Sequence, residues 1–569
     1  MKNATKYLSL KCSSNPWFVD RLIVSAFLYI NEIQINNNSL LLSYYIRQDD
    51  EDYENLIGFI EEINNVRVNF TAEDLIELFE FVISPSDRIV NGAIYTPSDI
   101  REYIVNQSLN NRNIDLQTIK IADIACGCSG FLYTIARELR QRTGNTYTYI
   151  FQNQIFGLDI QEYSVTRSKL LLSLLALYEG EDNEQFHFNI HQGDALIYNW
   201  QQVINNFEGF DIIVGNPPYS GESANKGEWI MSLMEDYKKE PGGKEKLKEK
   251  NYKFVNDDYV KFIRFAQYLV EKNGEGIVAF INPHGYLDNP TFRGMRWNLL
   301  KTFDKIYTID LHGNSKKKET APDGSADQNV FDIMQGVSIN LFVKTNKKAK
   351  NELGKVFHFD LFGKRNDKYN FLQENSLRTI DFKELKPEKP FLLFVNRINE
   401  GSYFNNTFQV NDLFLNNVTG TQTGNDKFLF NYNKENLVKA LNEISTNEIS
   451  DYIKRIAYRP FDFGHMFFIK GLGEEKFGIE IPKSYRTRFS LMKNMLKENV
   501  NLIIGRQGQV VGNMPWNLIF SSNEVVDLNM FYRGGGNVFP LYLYQEPTAF
   551  DERERIPNFN PKILAEIEA

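Results

Sequence analysis

The sequence predicts a mixed α/β protein: a doubly wound, seven-stranded sheet with a helical region before it and an irregular α+β region after it. Three observations predict this. Seven short runs rich in β-branched and aromatic residues alternate with helical stretches between residues 118 and 344. Residues 14–90 space their apolar side chains at three and four, the helical period. After residue 345 the alternation stops in a stretch rich in Asn, Phe and Gly. A chain of 569 residues, 42% hydrophobic and 24% charged, suits two or three globular domains with ample core.

In the first region, DRLIVSAFLYINEIQ (20–34) and TAEDLIELFEFVI (71–83) read as amphipathic helices, with Thr71 as N-cap of the second. The acidic DDEDYENLIGFIEEI (49–63) reads as a solvated helix or loop, with an acidic interaction surface as the alternative. The strand runs are TIKIADI (118–124), NQIFGLD (153–159), FHFNIHQ (186–192), FDIIVGN (210–216), GIVAFIN (276–282), KIYTIDL (305–311) and SINLFVK (338–344). The charged KTNKKAKNELGK (344–355) reads as a linker. Domains are therefore expected at 1–90, 91–345 and 346–569.

The net charge of -9 taken alone is unfavourable for a polyanionic partner, yet residues 1–91 carry 7 Lys/Arg against 14 Asp/Glu, leaving -2 for the rest. Residues 238–253 hold seven Lys against three Glu. Three cysteines (Cys12, Cys126, Cys128) exclude a disulfide framework and a four-cysteine zinc site, and six scattered His suggest no metal site. No apolar run reaches the ~18 residues that span a membrane, and the N-terminus lacks the apolar core of a secretory signal. A cytoplasmic location is expected.

The candidate site emerges at the strand tips. The first run ends in Asp123-Ile124-Ala125-Cys126-Gly127-Cys128-Ser129-Gly130, a glycine turn that lets backbone N–H groups approach a ligand. It lacks the G-x-G-x-x-G spacing of dinucleotide enzymes. The second run ends in Asp159, placed to accept ribose hydroxyls, and the third leads to Asp194-Ala195. Any one of these acids could be a cap; three in register on one edge favour an adenosine-containing cofactor. The fourth run ends in Asn216-Pro217-Pro218-Tyr219. The exocyclic amine of adenine is a poor nucleophile because its lone pair is delocalised. The Asn216 side-chain carbonyl and the Pro217 backbone carbonyl could accept both amino hydrogens and aim that lone pair at a sulfonium methyl group. The prolines fix the backbone, and Tyr219 would stack on the base.

This order of glycine turn, two acids and Asn-Pro-Pro-Tyr resembles the amino-methylating DNA methyltransferases of the gamma arrangement, which modify adenine N6. The resemblance implies a Rossmann-like methyltransferase domain over 91–345, a target-recognition domain over 346–569, and S-adenosylmethionine as cofactor. It also implies that Gly92-Ala93-Ile94-Tyr95-Thr96-Pro97 closes over the methionine part of the cofactor. By that likeness Thr96 contacts the cofactor carboxylate, and Asp123, Ala125, Cys126 and Gly127 line the methionine end. Asp159 and Ile160 flank the ribose and ring, Asp194 accepts from the adenine amine, and Ala195 and Asn216 complete the set.

LDNPTFRGMR (287–296), IDLHGNSKKKETAPDG (309–324), DQNVFDIMQGVSI (327–339) and YRPFDF (458–463) resemble blocks of Type I single-polypeptide (ISP) restriction-modification enzymes. The likeness covers roughly 90–560. It implies that Phe292 is the second stacking wall for a flipped adenine; the alternative is ordinary core. Two departures stand out. Cys128 and Ser129 replace the usual Ser and Gly of the turn, so Gly130 is expected to supply its flexibility. Enzymes of this subgroup also continue beyond the block matching Phe539–Tyr544, so the specificity domain is expected to be shorter or completed by another polypeptide.

No G-x-x-x-x-G-K-[ST] loop marks a motor ATPase and no P-D…(D/E)-x-K pattern marks a nuclease. Double-stranded DNA is the expected partner, with a separate restriction or defence subunit as a further possibility. Lys454, Arg455, Arg459, Lys483, Arg486, Arg488, Arg506 and Arg533 are its candidate contacts, and a solvated face is the alternative for each. The lysines of 238–253 and 316–318 could close over DNA. The expected activity is site-specific adenine-N6 methylation. The alternatives are a protein-glutamine or RNA methyltransferase and, from another class, a DNA-binding specificity or scaffold subunit.

Overall fold

The computed structural model describes residues 7–8, 16–65, 69–81, 94–110, 114–197, 199–202, 204, 207, 209–221, 223, 225–248, 254–316, 319–345, 347–349, 351–396, 408–471, 477–505, 517–531, 535–546 and 553–568. The chain divides into two compact units, Met1–Asn396 and Arg397–Ala569.

Every one of the seven expected runs contains a strand: β1 (Ile121–Asp123), β2 (Ile155–Asp159), β3 (Asn189–Gln192), β4 (Ile212–Gly215), β5 (Gly276–Pro283), β6 (Lys305–Asp310) and β7 (Val337–Lys344). Two more follow, β8 (Lys355–Asp360) and β9 (Lys383–Leu385), so the sheet has nine strands in the order β3-β2-β1-β4-β5-β7-β6-β8-β9. β1 to β5 pair in parallel, while β7 runs antiparallel between β5 and β6. The expected linker at 344–355 instead joins β7 to β8, and the division of the chain falls at 396/397 rather than 345/346. The charged surface of that connection hid the strand beyond it.

The helices explain the two buried faces. They are α1 (Pro16–Ile30), α2 (Ser39–Tyr44), α3 (Tyr53–Asn64), α4 (Ala72–Phe81), α5 (Ser98–Leu109), α6 (Gly130–Thr143), α7 (Tyr147–Asn153), α8 (Glu162–Tyr178), α9 (Glu228–Met234), α10 (Asp258–Asn273), α11 (Arg293–Thr302) and α12 (Arg365–Glu374). Alternate residues of each strand enter opposite cores. Ile121, Ile155, Ile212 and Ile277 join one cluster with Leu22, Phe59 and Leu78 of the N-terminal helices, and with α5, α6 and α8. Ala122, Phe156, Ile213 and Val278 join the other with α9, α10 and α11. The N-terminal helices thus cover one face of the sheet. Their acids are partly spent within the fold: Asp50 and Asp52 both hold Arg21, and buried Asp20 holds Arg167 at 2.8 Å. Thr71 caps α4 reciprocally with Asp74, each backbone N–H bonding the other's side chain.

The second unit contains two four-stranded sheets around its own core. The strands of these two sheets are β10 (Val418–Thr419), β11 (Phe430–Asn431), β12 (Ile453–Arg459), β13 (Asp462–Phe467), β14 (Asn501–Ile504), β15 (Ile519–Ser522), β16 (Val525–Val526) and β17 (Asn537–Pro540). They pair as β10-β17-β14-β15 and β11-β13-β12-β16, and a hairpin of β18 (Tyr542–Tyr544) and β19 (Arg555–Pro557) follows. In the first unit three histidines scattered in sequence, His284, His312 and His358, come together at the ends of β5, β6 and β8.

Candidate functional site at the strand tips

The order of strands reverses beside β1, where β2 and β4 diverge to either side and leave a crevice at the carboxyl edge. There a cavity of about 470 Å³ opens, in the size range of small-molecule sites. Thr96, Asp123, Ala125, Cys126, Gly127, Asp159, Ile160, Asp194, Ala195 and Asn216 all line it. Of the expected covering segment, Ile94, Tyr95 and Thr96 line the cavity, whereas Gly92 and Ala93 lie outside the described residues.

The glycine turn after β1 is shaped by two left-handed residues, Gly127 (φ +52) and Ser129 (φ +67). Gly130, expected to give the turn its freedom, is instead the first residue of α6; Ser129 takes the strained conformation itself and anchors its hydroxyl on Ser168 at 2.7 Å. The turn's N–H groups are met by the protein's own carboxylates. Gly127 donates to Asp159 Oδ2 at 3.0 Å, Cys128 to Glu80 Oε1 at 3.0 Å and Ala125 to Asp123 Oδ1 at 3.1 Å. Burial raises all three carboxyls, and it pushes Asp123 up to about 8. It also keeps the Cys126 and Cys128 thiols protonated, so neither is an activated nucleophile.

Glu80 was not foreseen. It sits on α4 one turn beyond Ile76, and both line the cavity; an acid on an otherwise apolar stripe is the signal that marks it. Among the described residues the one basic lining residue, Arg101, is held by Glu73 at 2.6 Å and by the Thr96 carbonyl at 2.6 Å. A wall of carboxylates with its cation already paired suits a ligand bearing positive charge and hydroxyls rather than a phosphate.

Asn216 stands at the tip of β4 directly after Gly215, whose φ of +148 and position against Asp123 leave no room for a side chain: a Cβ there would lie 2.8 Å from Asp123 Oδ1. Its carboxamide orientation is fixed by the network. Nδ2 donates to Ile94 O at 3.0 Å and to Thr96 Oγ1 at 3.0 Å, while Oδ1 accepts the Tyr219 hydroxyl at 2.5 Å. Burial, with the Asp257 carboxylate nearby, pushes the Tyr219 hydroxyl well above its ordinary pKa and keeps it a donor. The loop that follows is pinned from α10: Asp257 accepts the N–H groups of Ser220 and Gly221, each at 3.2 Å. Pro218 lines the cavity beside Asn216, Pro217 is buried behind it, and Tyr219 is half-buried.

Phe292 does not join this group. It is 2% exposed and packs in the core with Tyr286, Leu287 and Met295, whereas the aromatic rings that line the cavity are those of Tyr95, Phe131, Tyr163 and Phe262. The 287–296 segment forms a short turn into α11 and buries its aromatic residue as helix entries commonly do.

In the second unit Lys483, Arg455, Arg486 and Arg488 are exposed, and Lys454 and Arg459 half-buried. Arg455 pairs with Glu524 at 3.2 Å, Arg459 with Asp527 at 2.8 Å, and Arg486 donates to two backbone carbonyls. Arg506 and Arg533 lie outside the described residues, as do Lys317 and Lys318.

Residues 153–316 match the Eco57I restriction-modification methylase family, and residues 442–569 match the Type ISP C-terminal specificity domain. In this chain a segment that matches a restriction-modification methylase family precedes one that matches a Type ISP specificity domain. The methylase match contains Asp159, Asp194 and Asn216–Tyr219; the Thr96 segment and the glycine turn precede it. Among curated proteins, the Type II restriction enzyme and methyltransferase RM.Eco57I of Escherichia coli is 25% identical over 328 residues, covering 46% of this chain and 32% of that protein. The Type II methyltransferase M.BstVI of Geobacillus stearothermophilus is 24% identical, covering 40% and 39%. The chain thus spans well under half the length of these relatives. Two solved structures share the fold at 17% identity over 97% of this chain: the ATP-dependent Type ISP restriction-modification enzyme LlaBIII bound to DNA (TM-score 0.64, 42% of that chain) and the DrdV–DNA complex (TM-score 0.66, 61%).

Proposed function

We propose that this protein is a site-specific DNA methyltransferase that transfers a methyl group from S-adenosylmethionine to N6 of an adenine flipped out of double-stranded DNA. The observation that carries the reading is Asn216. Its carboxamide is oriented with the oxygen as acceptor, at the mouth of a cavity walled by Asp123, Asp159, Asp194 and Glu80. S-adenosylmethionine suits that cavity: it carries an ammonium and a sulfonium charge and two ribose hydroxyls, and it has no phosphate. When bound, it supplies an electrophilic methyl group.

The residues of this chain do the rest. Asp159 accepts from ribose hydroxyls, Asp194 from the cofactor's adenine amine, Asp123 and Glu80 face the ammonium of the amino-acid end, and Thr96 contacts its carboxylate. Asn216 Oδ1 and the Pro217 carbonyl accept the two hydrogens of the target amine and draw its nitrogen towards tetrahedral geometry. An amide oxygen has two acceptor sites, so the Tyr219 hydroxyl can hold Oδ1 in place while the base uses the other. Tyr219 also offers the half-buried ring on which the base stacks. Alignment and electrostatics carry the step, with no covalent enzyme intermediate. The second unit reads the target, with Arg455, Arg486, Arg488 and Lys483 as exposed cations for phosphate or guanine. Restriction-modification, phage defence or epigenetic marking in the cytoplasm is the setting this activity fits.

Incubation with unmethylated genomic DNA and S-adenosylmethionine, followed by single-molecule sequencing, tests the reading. N6-methyladenine at one recurring sequence is expected. DNA binding without methyl transfer would replace it with a specificity-subunit role.

A further inference from the structure

A second group of chemistry-bearing side chains occupies the other half of the same sheet edge. β5 runs into His284, β6 ends at Asp310 two residues before His312, and β8 ends at Asp360. β7 runs antiparallel to both β5 and β6, and β6 is parallel to β8, so these carboxyl ends face one way. Nothing in the methyl-transfer scheme uses these residues.

The two imidazoles are oriented by carboxylates on their far sides. His284, 6% exposed, places Nδ1 2.8 Å from Asp310 Oδ1 and Nε2 3.4 Å from the Asn314 carboxamide nitrogen. His312 is turned the other way. Its Nε2 lies 2.9 Å from Asp360 Oδ1, while Nδ1 stands 3.8 Å from Asp310 Oδ2 and 4.0 Å from Glu319 Oε2, beyond hydrogen-bond reach of both. One ligand atom each from His284, His312 and Glu319 lie within 4.8 Å of one another.

The site is also held rigid. His312 adopts a left-handed backbone (φ +51) and stacks on Phe362 with ring centroids 3.8 Å apart. The N–H of Gly313 donates to Asp327 Oδ2 at 2.6 Å, and Asp327 is in turn paired with fully buried Lys368 at 2.9 Å. A non-glycine residue kept in that strained region by so many contacts is characteristic of a binding site. Imidazoles whose second nitrogen is taken by a carboxylate are the usual form of a metal-ligating histidine.

We propose that His284 Nε2, His312 Nδ1 and the Glu319 carboxylate bind a divalent transition-metal ion of the zinc class, with Asp310 and Asp360 orienting the two imidazoles. Two nitrogens and one oxygen form a donor set suited to zinc, cobalt or nickel; magnesium and calcium prefer oxygen alone. Ligand atoms about 2.0–2.2 Å from a tetrahedral ion stand roughly 3.3–3.6 Å apart, so the half-buried Glu319 carboxylate, whose Oε2 accepts the Asn314 N–H at 2.8 Å, has to move inward to complete the set. The Asn314 carboxamide, 3.4 Å from His284 Nε2, would give way to the ion. Bound there, the ion ties His312 and Glu319 to the end of β5.

The test uses the full chain, stripped with chelator, dialysed and titrated with zinc chloride or cobalt chloride alone. About one equivalent of zinc should be retained by elemental analysis, and cobalt should give the visible absorption of a four- or five-coordinate site. His312→Ala and Glu319→Gln should each lose the cobalt band. Asp360→Asn should weaken zinc about 10- to 100-fold, and His465→Ala, in the second unit, should bind as the parent does. Glu319→Gln replaces a loop side chain and tests the site even if His312→Ala fails to fold. Zinc binding unchanged in Glu319→Gln and Asp360→Asn, or a parent protein that retains no zinc and gives only the spectrum of aqueous cobalt, overturns the proposal.

Discussion

One sheet edge carries two very different halves. At the tips of β1 to β4 the functional side chains follow their strands directly, so Asp123, Asp159 and Asn216 fall within one residue of a strand end. At the tips of β5, β6 and β8 the histidines are brought together by an antiparallel insertion and two long connections. The first half is local in sequence and parallel in space; the second depends on how β7 enters the sheet. The contrast teaches that strand-tip chemistry is readable wherever the chain keeps one direction, and is lost where direction reverses.

The largest effect that sharpens this contrast is at Asn216. Asn216→Ala should lower methyl transfer by about 10²- to 10³-fold or more, with a far smaller change in cofactor affinity, measured by single-turnover kinetics and calorimetry. Phe292→Ala probes the core reading of that ring: a fully packed Phe should cost about 3–5 kcal/mol of stability, read by denaturant unfolding, whereas Tyr219→Ala should act mainly on turnover. Asp159→Ala removes a charged acceptor and should weaken S-adenosylmethionine by about 1.5–3 kcal/mol, roughly ten- to a hundredfold in Kd.

Asp123 gives a pH signature. Its folded-state pKa, raised by burial to about 8, exceeds the unfolded value, so the native state holds the proton more tightly. Stability from this group is present at pH 4 and falls as pH rises towards 8. Asp123→Asn should raise the melting temperature of the ligand-free protein at pH 8, change it little at pH 4, and weaken the cofactor. The smallest effect is at Arg455, whose exposed pair with Glu524 is worth about 0–1 kcal/mol. Arg455→Ala should leave stability nearly unchanged and reduce DNA affinity in a salt-dependent way, seen in binding isotherms.

The same contrast explains what the sequence made legible. Seven strand runs were visible because buried parallel strands are continuous apolar runs, and Asp123, Asp159, Asp194 and Asn216 were visible because they follow those runs. β8 was hidden by the lysines before it, and β9 by its polar residues, Lys383 and Glu384. Glu80 was hidden because a helix carries it to the cavity from a distant segment. Phe292 was drawn towards the site by family likeness, yet local packing at the entry to α11 takes the ring inward. His284, His312 and Glu319 are separated by 28 and 7 residues, and no periodicity connects them.

Asn216 has a consequence for how the two ligands of this site communicate. The two N–H groups of its amide grip Ile94 and Thr96, while its oxygen accepts the Tyr219 hydroxyl and is the proposed acceptor for the target amine. A single rigid plane of atoms is thus shared by the segment over one ligand and by the acceptor for the other. Whatever tightens that segment also stiffens the acceptor, and thermodynamic linkage requires the favour to be returned by the same factor. Cofactor and DNA should bind with positive cooperativity, and that cooperativity should vanish with the Asn216 amide.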